Sequence, residues 1–209
     1  MIFFDGGTGT LLQEKGLQAG ELPELWNIEN KQALIEIHKN YFEAGSDIVL
    51  TNTFGANRIK LHDVNYTIEE IVTAAVKNAK IAAKEALSEK KGYVALDIGP
   101  TGKLLQPLGD LSFEDAYEAL AVAGEKAGAD LVVIETMSDI YEAKAAILAA
   151  KENTNLPIFV TIVFDEKGKL LTGSDVTSAV AILEGLGVDA LGMNCGLGPH
   201  QMLSLAEEV

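Results

Sequence analysis

Ala190-Leu191-Gly192-Met193-Asn194-Cys195-Gly196-Leu197-Gly198-Pro199 is the stretch whose reading decides the fold. An apolar run from Val188 to Met193 ends in Asn194 and the only cysteine of the sequence, and a Gly-Leu-Gly-Pro turn follows at once. A strand over that run presents Cys195 at its carboxyl end. In parallel α/β folds that end is where sites are built, because the loops after the strands carry reactive groups on a rigid base. A single cysteine taken alone reads as a small, inert buried hydrophobe. What argues for more is that the same pattern, apolar strand then polar turn, recurs along the chain.

Working outward, Ile2-Phe3-Phe4 runs into Asp5-Gly6-Gly7-Thr8-Gly9-Thr10, and Asp47 to Leu50 runs into Thr51-Asn52-Thr53-Phe54-Gly55. Tyr93 to Ile98 breaks at Gly99-Pro100-Thr101-Gly102, and Leu131 to Ile134 at Glu135-Thr136-Met137-Ser138-Asp139. Pro157 to Phe164 turns at Asp165-Glu166-Lys167-Gly168. Between these runs lie helical patterns. Leu34, Ile37 and Tyr41 share one face of a helix from Asn30 that Gly45 stops. Thr67-Ile68-Glu69-Glu70 is a capping box opening a helix to about Ser88, and Ser112 to Asp115 is a second one, opening a helix that ends near Gly128. Further helices are expected from Asp139 through Ala150, from about Val176 to Glu184, and beginning at His200.

Strands that do not alternate imply a parallel sheet covered by helices, in one domain over residues 1–209. Six strands fit an open doubly wound sheet. They also fit part of a closed (β/α)8 barrel, which takes about 250 residues and eight strands. Composition does not choose between them. The glycine-rich turn after Phe4 lacks both the lysine of a P-loop and the spacing of a dinucleotide fingerprint, so on its own it reads as a tight turn.

The formal net charge of −15 excludes a polyanionic partner as the natural expectation, since binding nucleic acid requires Lys and Arg to neutralise phosphates. Small molecules and other proteins are the expected partners. One cysteine excludes an internal disulfide, and Met1-Ile2-Phe3-Phe4-Asp5 has neither the basic start nor the long apolar core of a signal peptide. No apolar run approaches the roughly 20 residues that cross a bilayer, so a cytoplasmic chain with no membrane contact is expected.

In order and wording, Asp5-Gly6-Gly7-Thr8-Gly9-Thr10, Thr51-Asn52-Thr53-Phe54-Gly55, Gly99-Pro100-Thr101-Gly102, Glu135-Thr136 with Asp139, and Gly192-Met193-Asn194-Cys195 resemble the homocysteine S-methyltransferase family. The resemblance covers the whole chain and is strongest to the amino-terminal homocysteine-binding domains of cobalamin-dependent methionine synthases. It implies an α/β chain folded as a (β/α)8 TIM barrel, of which these residues supply about the first six β/α units. It implies Zn2+ held by three cysteines, of which Cys195 matches the first; the adjacent cysteine pair of the family is absent. It also implies homocysteine as substrate, methylcobalamin as methyl donor on another domain, and partner domains or chains that bind cobalamin and methyltetrahydrofolate.

Site roles follow from that resemblance. Cys195 is expected to act through zinc, which would hold the homocysteine sulfur as a thiolate. Asp5 and Glu135 are expected to bind the homocysteine ammonium, their plain readings being a turn cap and a first-turn helix charge. The backbone of Gly7 and Thr8 and the hydroxyl of Thr53 would meet the carboxylate, and Asn194 would orient the loop bearing the cysteine. His38, His62 and His200 read as packing or surface residues. Rival readings are a methyltransferase using betaine or S-methylmethionine, and an inactive binding module. The open barrel edges, Ile2 to Phe4 and the run at Leu191, are expected to favour self-association.

Overall fold

The apolar runs become parallel strands because a helix lies between each pair and folds back over one face of the sheet. The structure is a computed structural model and describes residues 1–87, 91–103, 117–207 and 209. Helix α1 (Thr8–Glu14) is followed by a 3-10 turn (Pro23–Leu25), α2 (Trp26–Glu29) and α3 (Lys31–Ala44). The βα repeat then runs β1 (Ile48–Leu50), α4 (Ile68–Ala86), β2 (Tyr93–Ile98), α5 (Glu118–Ala127), β3 (Leu131–Met137), α6 (Ile140–Asn153), β4 (Ile158–Ile162), α7 (Val176–Gly185), β5 (Ala190–Met193) and α8 (Pro199–Ala206).

The strands form one five-stranded sheet in the order β1-β2-β3-β4-β5, parallel throughout. Its two faces bury different residues. Val94, Leu96, Val132, Ile134 and Val160 belong to the large core beneath the helices. Their alternates Ile48, Ala95, Leu131 and Val133 pack with Leu50 and Phe159 in a separate inner cluster. An inner row distinct from the helix-covered face is what a sheet curving toward a barrel requires.

The expected first strand is the main departure. Ile2 to Phe4 contributes only the parallel bridge Phe4 to Ile48. Ile48 N–H donates to Phe3 O at 3.2 Å and Asp5 N–H to Ile48 O at 3.0 Å, but the next donor, Leu50 N–H, goes to Asp5 Oδ2 at 3.0 Å. The side chain takes the place of the main-chain carbonyl that would continue a parallel ladder, and pairing stops. The glycine run is likewise no simple turn, since α1 begins inside it at Thr8. Strand β3 is longer than expected and takes in Glu135 and Thr136 through a register shift between Ile134 and Met137. Glu135 is therefore a strand-end residue and not a first-turn helix charge; the start of α6 is capped by Asp139, which accepts from Tyr141 N–H.

The Thr67 capping box is formed: Thr67 Oγ1 accepts from Glu70 N–H at 3.2 Å, and Glu70 Oε2 accepts from Thr67 N–H at 2.8 Å. Thr67→Ala is expected to lower stability by about 1 kcal/mol, read as a shift in the urea midpoint without change of slope. The second expected capping box, Ser112 to Asp115, lies outside the described residues, as does Ser88. Among the described residues no helix is long and apolar enough to cross a membrane.

Beyond β4, strand β5 has no second partner among the described residues, and its residues are half-buried. Gly192 and Met193 there line an apolar groove of about 360 Å³ with Pro199, Met202, Leu203, Ala206 and Val209.

Candidate functional site

The carboxyl ends of the strands surround a cavity of about 390 Å³ whose polar wall includes Asp5, Glu135, Thr161 and Asn194 and whose apolar wall includes Phe4, Leu50, Val133 and Phe159. Glu135 and Thr161 lie in the carboxyl-terminal halves of β3 and β4, Asn194 directly follows β5, and Asp5 directly follows the Phe4 bridge. The rings of Phe4 and Phe159 meet at 6.2 Å between centroids, joining the amino-terminal segment to β4 across the interior.

The electrostatics of this wall are one-sided. Burial, with the nearby Glu135 charge adding to it, pushes the Asp5 carboxyl up to about 7, against the pull of the Leu50 N–H. Burial also raises Glu135. Asp97 in β2 is raised well above the ordinary carboxylate range, by burial first and then by Glu135, Asp5 and Glu24. Asp5 Oδ1 and Asp97 Oδ1 are buried without a hydrogen-bond partner among the described residues. Asp97 was not legible as a site residue, although it is the only charged residue in the Tyr93 to Ile98 run.

Asn194 ties two strand ends together. Its Nδ2 donates to Glu135 Oε2 at 2.9 Å and to Thr136 Oγ1 at 2.8 Å, while its Oδ1 accepts from Thr136 N–H at 3.1 Å. One amide thus uses both N–H donors and its carbonyl, and no flipped orientation would serve. Thr136 and Cys195 adopt positive φ, 61° and 55°. For a β-branched residue this is a strained conformation, held here by the Asn194 clamp. The exposed Cys195 thiol lies 4.0 Å from Thr136 Oγ1. Asn194 therefore fixes the Glu135 carboxylate and the Thr136 turn.

Thr53 is placed differently from the expectation. It is fully buried, and its hydroxyl donates to Asp97 O at 2.7 Å. Asp97 N–H donates to Thr51 Oγ1 at 3.1 Å, and the two threonine hydroxyls are 2.7 Å apart, so the Thr51 proton fills that link. With its one proton committed, Thr53 has no donor for a ligand carboxylate. The rest of its loop is also spoken for: Asn52 Nδ2 donates to Pro23 O at 2.7 Å and Gly55 N–H to Glu24 Oε1 at 2.7 Å. Gly7 and Thr8 do not line the cavity; they form the start of α1, where Gly7 is the N-cap and no side chain caps the helix.

The residues present do not make up a zinc site. Among the described residues no group of three or more His, Cys, Asp or Glu could hold a metal ion. Cys195 is a single candidate ligand. His200 is exposed on α8, His62 bonds Ile59 O and Asp63, and His38 is wholly buried in α3.

A parallel βα chain with carboxylates, an amide and a thiol gathered at its strand ends is an enzyme-type α/β barrel domain. Residues 2–209 match the profile of homocysteine S-methyltransferase, and the chain belongs to that family. Methionine synthases of Mycobacterium leprae and Mycobacterium tuberculosis are 35% and 34% identical to it over 217 and 215 residues. The likeness takes in 95% of this chain, which spans 18% of the length of either relative. Among solved structures, the metallated form of the homocysteine methyltransferase MmuM from Escherichia coli superposes with a TM-score of 0.81 at 23% identity, covering 99% of this chain and 77% of that one. Its oxidized form gives 0.80 at 24%, covering 93% and 73%. The shared fold is the TIM barrel, and the βα units described above are units of it.

Proposed function

We propose that this chain is the homocysteine-binding part of a methionine synthase. The observation that carries the reading is the cavity wall itself, where Asp5 and Glu135 face one space with no cation acting on either among the described residues, beside an exposed thiol. Two carboxylates in that setting call for an ammonium, which returns the charge that burial makes costly. For the backbone of Gly7 and Thr8 to meet the carboxylate of the same amino acid, the ligand would have to reach past the cavity to the first turn of α1.

Affinity for an ammonium should strengthen as pH rises through about 7, because Asp5 has then lost its proton. Zinc with Cys195 as one thiolate ligand, and methylcobalamin as the methyl donor, belong to the same reading. So do partner domains that bind cobalamin and methyltetrahydrofolate, a cytoplasmic setting, and association through the open edge at β5. Such zinc and donor chemistry would draw on parts of the protein beyond these residues, as the relatives' much greater length allows.

The test is calorimetric titration of L-homocysteine into the full chain and into Glu135→Gln. Losing one charge-assisted contact to an ammonium should weaken binding about 10- to 100-fold. Equal affinity in the two proteins would remove Glu135 from the site.

A further inference from the structure

Asp97 is a buried carboxyl that the proposed chemistry does not use. Its register partner in β3 is Val133, which lines the cavity two residues before Glu135. Ala95, two residues earlier in β2, packs with Val133 in the inner cluster, so Asp97 lies on the inward row. It is 6% exposed and does not itself line the cavity. Thr51 and Thr53 grip its N–H and its carbonyl, which fixes where the side chain begins.

The charged groups that act on it come from three separate elements: Glu135 of β3, Asp5 of the amino-terminal segment and Glu24 of the Pro23–Leu25 turn. All are acidic, and none of the described cations acts on it. Oδ1 of Asp97 and Oδ1 of Asp5 both lie buried with no donor among the described residues. Buried carboxylate oxygens without donors are satisfied by a proton or by a cation. In the free chain only the proton is to hand.

We infer that Asp97 is a positioning residue of the ammonium-binding site, a third carboxyl behind Asp5 and Glu135 that holds a proton in the free chain and releases it to solvent when a cationic amine occupies the cavity. This rests on the ammonium reading of Asp5 and Glu135. The amine brings one positive charge to the wall, the departing proton removes one, and the ionised Asp97 then strengthens the field that Asp5 and Glu135 present. A neutral ligand of the same shape gains nothing from the exchange, so the device selects for charge.

The probe is L-methionine, which carries the ammonium and carboxylate but no thiol to lose a proton. Calorimetry at pH 7 in buffers of differing ionisation enthalpy counts the protons released on binding to the full chain and to Asp97→Asn. The native chain is expected to release more, and its affinity to climb more steeply from pH 6 to pH 8. A difference of half a proton amounts to about tenfold across that range. A merely structural asparagine would leave both slopes parallel, and equal proton counts overturn the inference while the ammonium reading stands. No binding of L-methionine by the native chain overturns both. Carboxyl 13C shifts in the native chain serve if the variant does not fold: the Asp97 carbon should move toward its ionised position on adding ligand at constant pH, and an unmoved carbon overturns the inference.

Discussion

Asp5→Asn is expected to raise the thermal stability of the chain at pH 8, to leave it unchanged at pH 4, and to weaken binding of an amino acid about 10- to 100-fold. In the folded chain the Asp5 carboxyl is raised from its ordinary 3.8 to about 7. Between those values the folded state keeps a proton that the unfolded chain has lost, so stability falls as pH rises from about 4 through 7. At about 1.4 kcal/mol per pKa unit the ceiling on this cost is about 4 kcal/mol. Asparagine keeps an oxygen to accept the Leu50 N–H and removes the ionisation. For a chain of this size each kcal/mol moves Tm by about 2–4 °C, so a rise of several degrees at pH 8 is expected by scanning calorimetry. A Tm equal to the native value at pH 8 would mean that Asp5 ionises without cost. The gain in stability with weaker binding is the usual opposition at a site built to hold an ion: the wall is costly until the ligand is present.

Why Asp5 was legible in the sequence, and Asp97 was not, has a physical reason. Asp5 ends an apolar run next to glycines, and a polar residue at that boundary is visible without any knowledge of pairing. Asp97 lies inside its run, and only the register with Val133 shows that it faces the interior near Glu135. Five of the six expected strands were readable to within a few residues because burial on both faces leaves apolar runs unbroken, while Ile2 to Phe4 formed only a single bridge. The helix start at Thr67 could be read from its capping box, whereas α1 starts at Gly7 with no side-chain cap and gave no sign. Thr53 misled because a hydroxyl in a strand-end loop looks available until its proton is traced to Asp97 O. The left-handed turn at Thr136 could not be foreseen either, since threonine is among the residues least suited to it.

His38 supplies the opposite pH dependence. It is completely buried in α3, on the face that carries Ile35 and Phe42 into the core, and neither ring nitrogen has a partner among the described residues. Burial lowers its pKa from 6.5 to about 4. Here the unfolded chain takes up the proton first, so stability is present above about 6.5 and is lost as pH falls toward 4, by at most about 3 kcal/mol. Over the same interval Asp5 gains in stability as pH falls, and neither group is among the charges acting on the other. As far as these two groups go, the native chain should therefore show a nearly level stability between pH 4.5 and 7. Asp5→Asn should expose the His38 loss as a fall in the urea midpoint on acidification. His38→Leu fills a similar volume and gives up no hydrogen bond, so it should remove that loss and leave the Asp5 trend bare, with stability rising toward acid. The double variant should lose both of these limbs and keep only the fall toward alkaline pH that the raised Glu135 and Asp97 carboxyls supply. An acid limb that persists in His38→Leu would place the labile proton elsewhere and free His38 from the role.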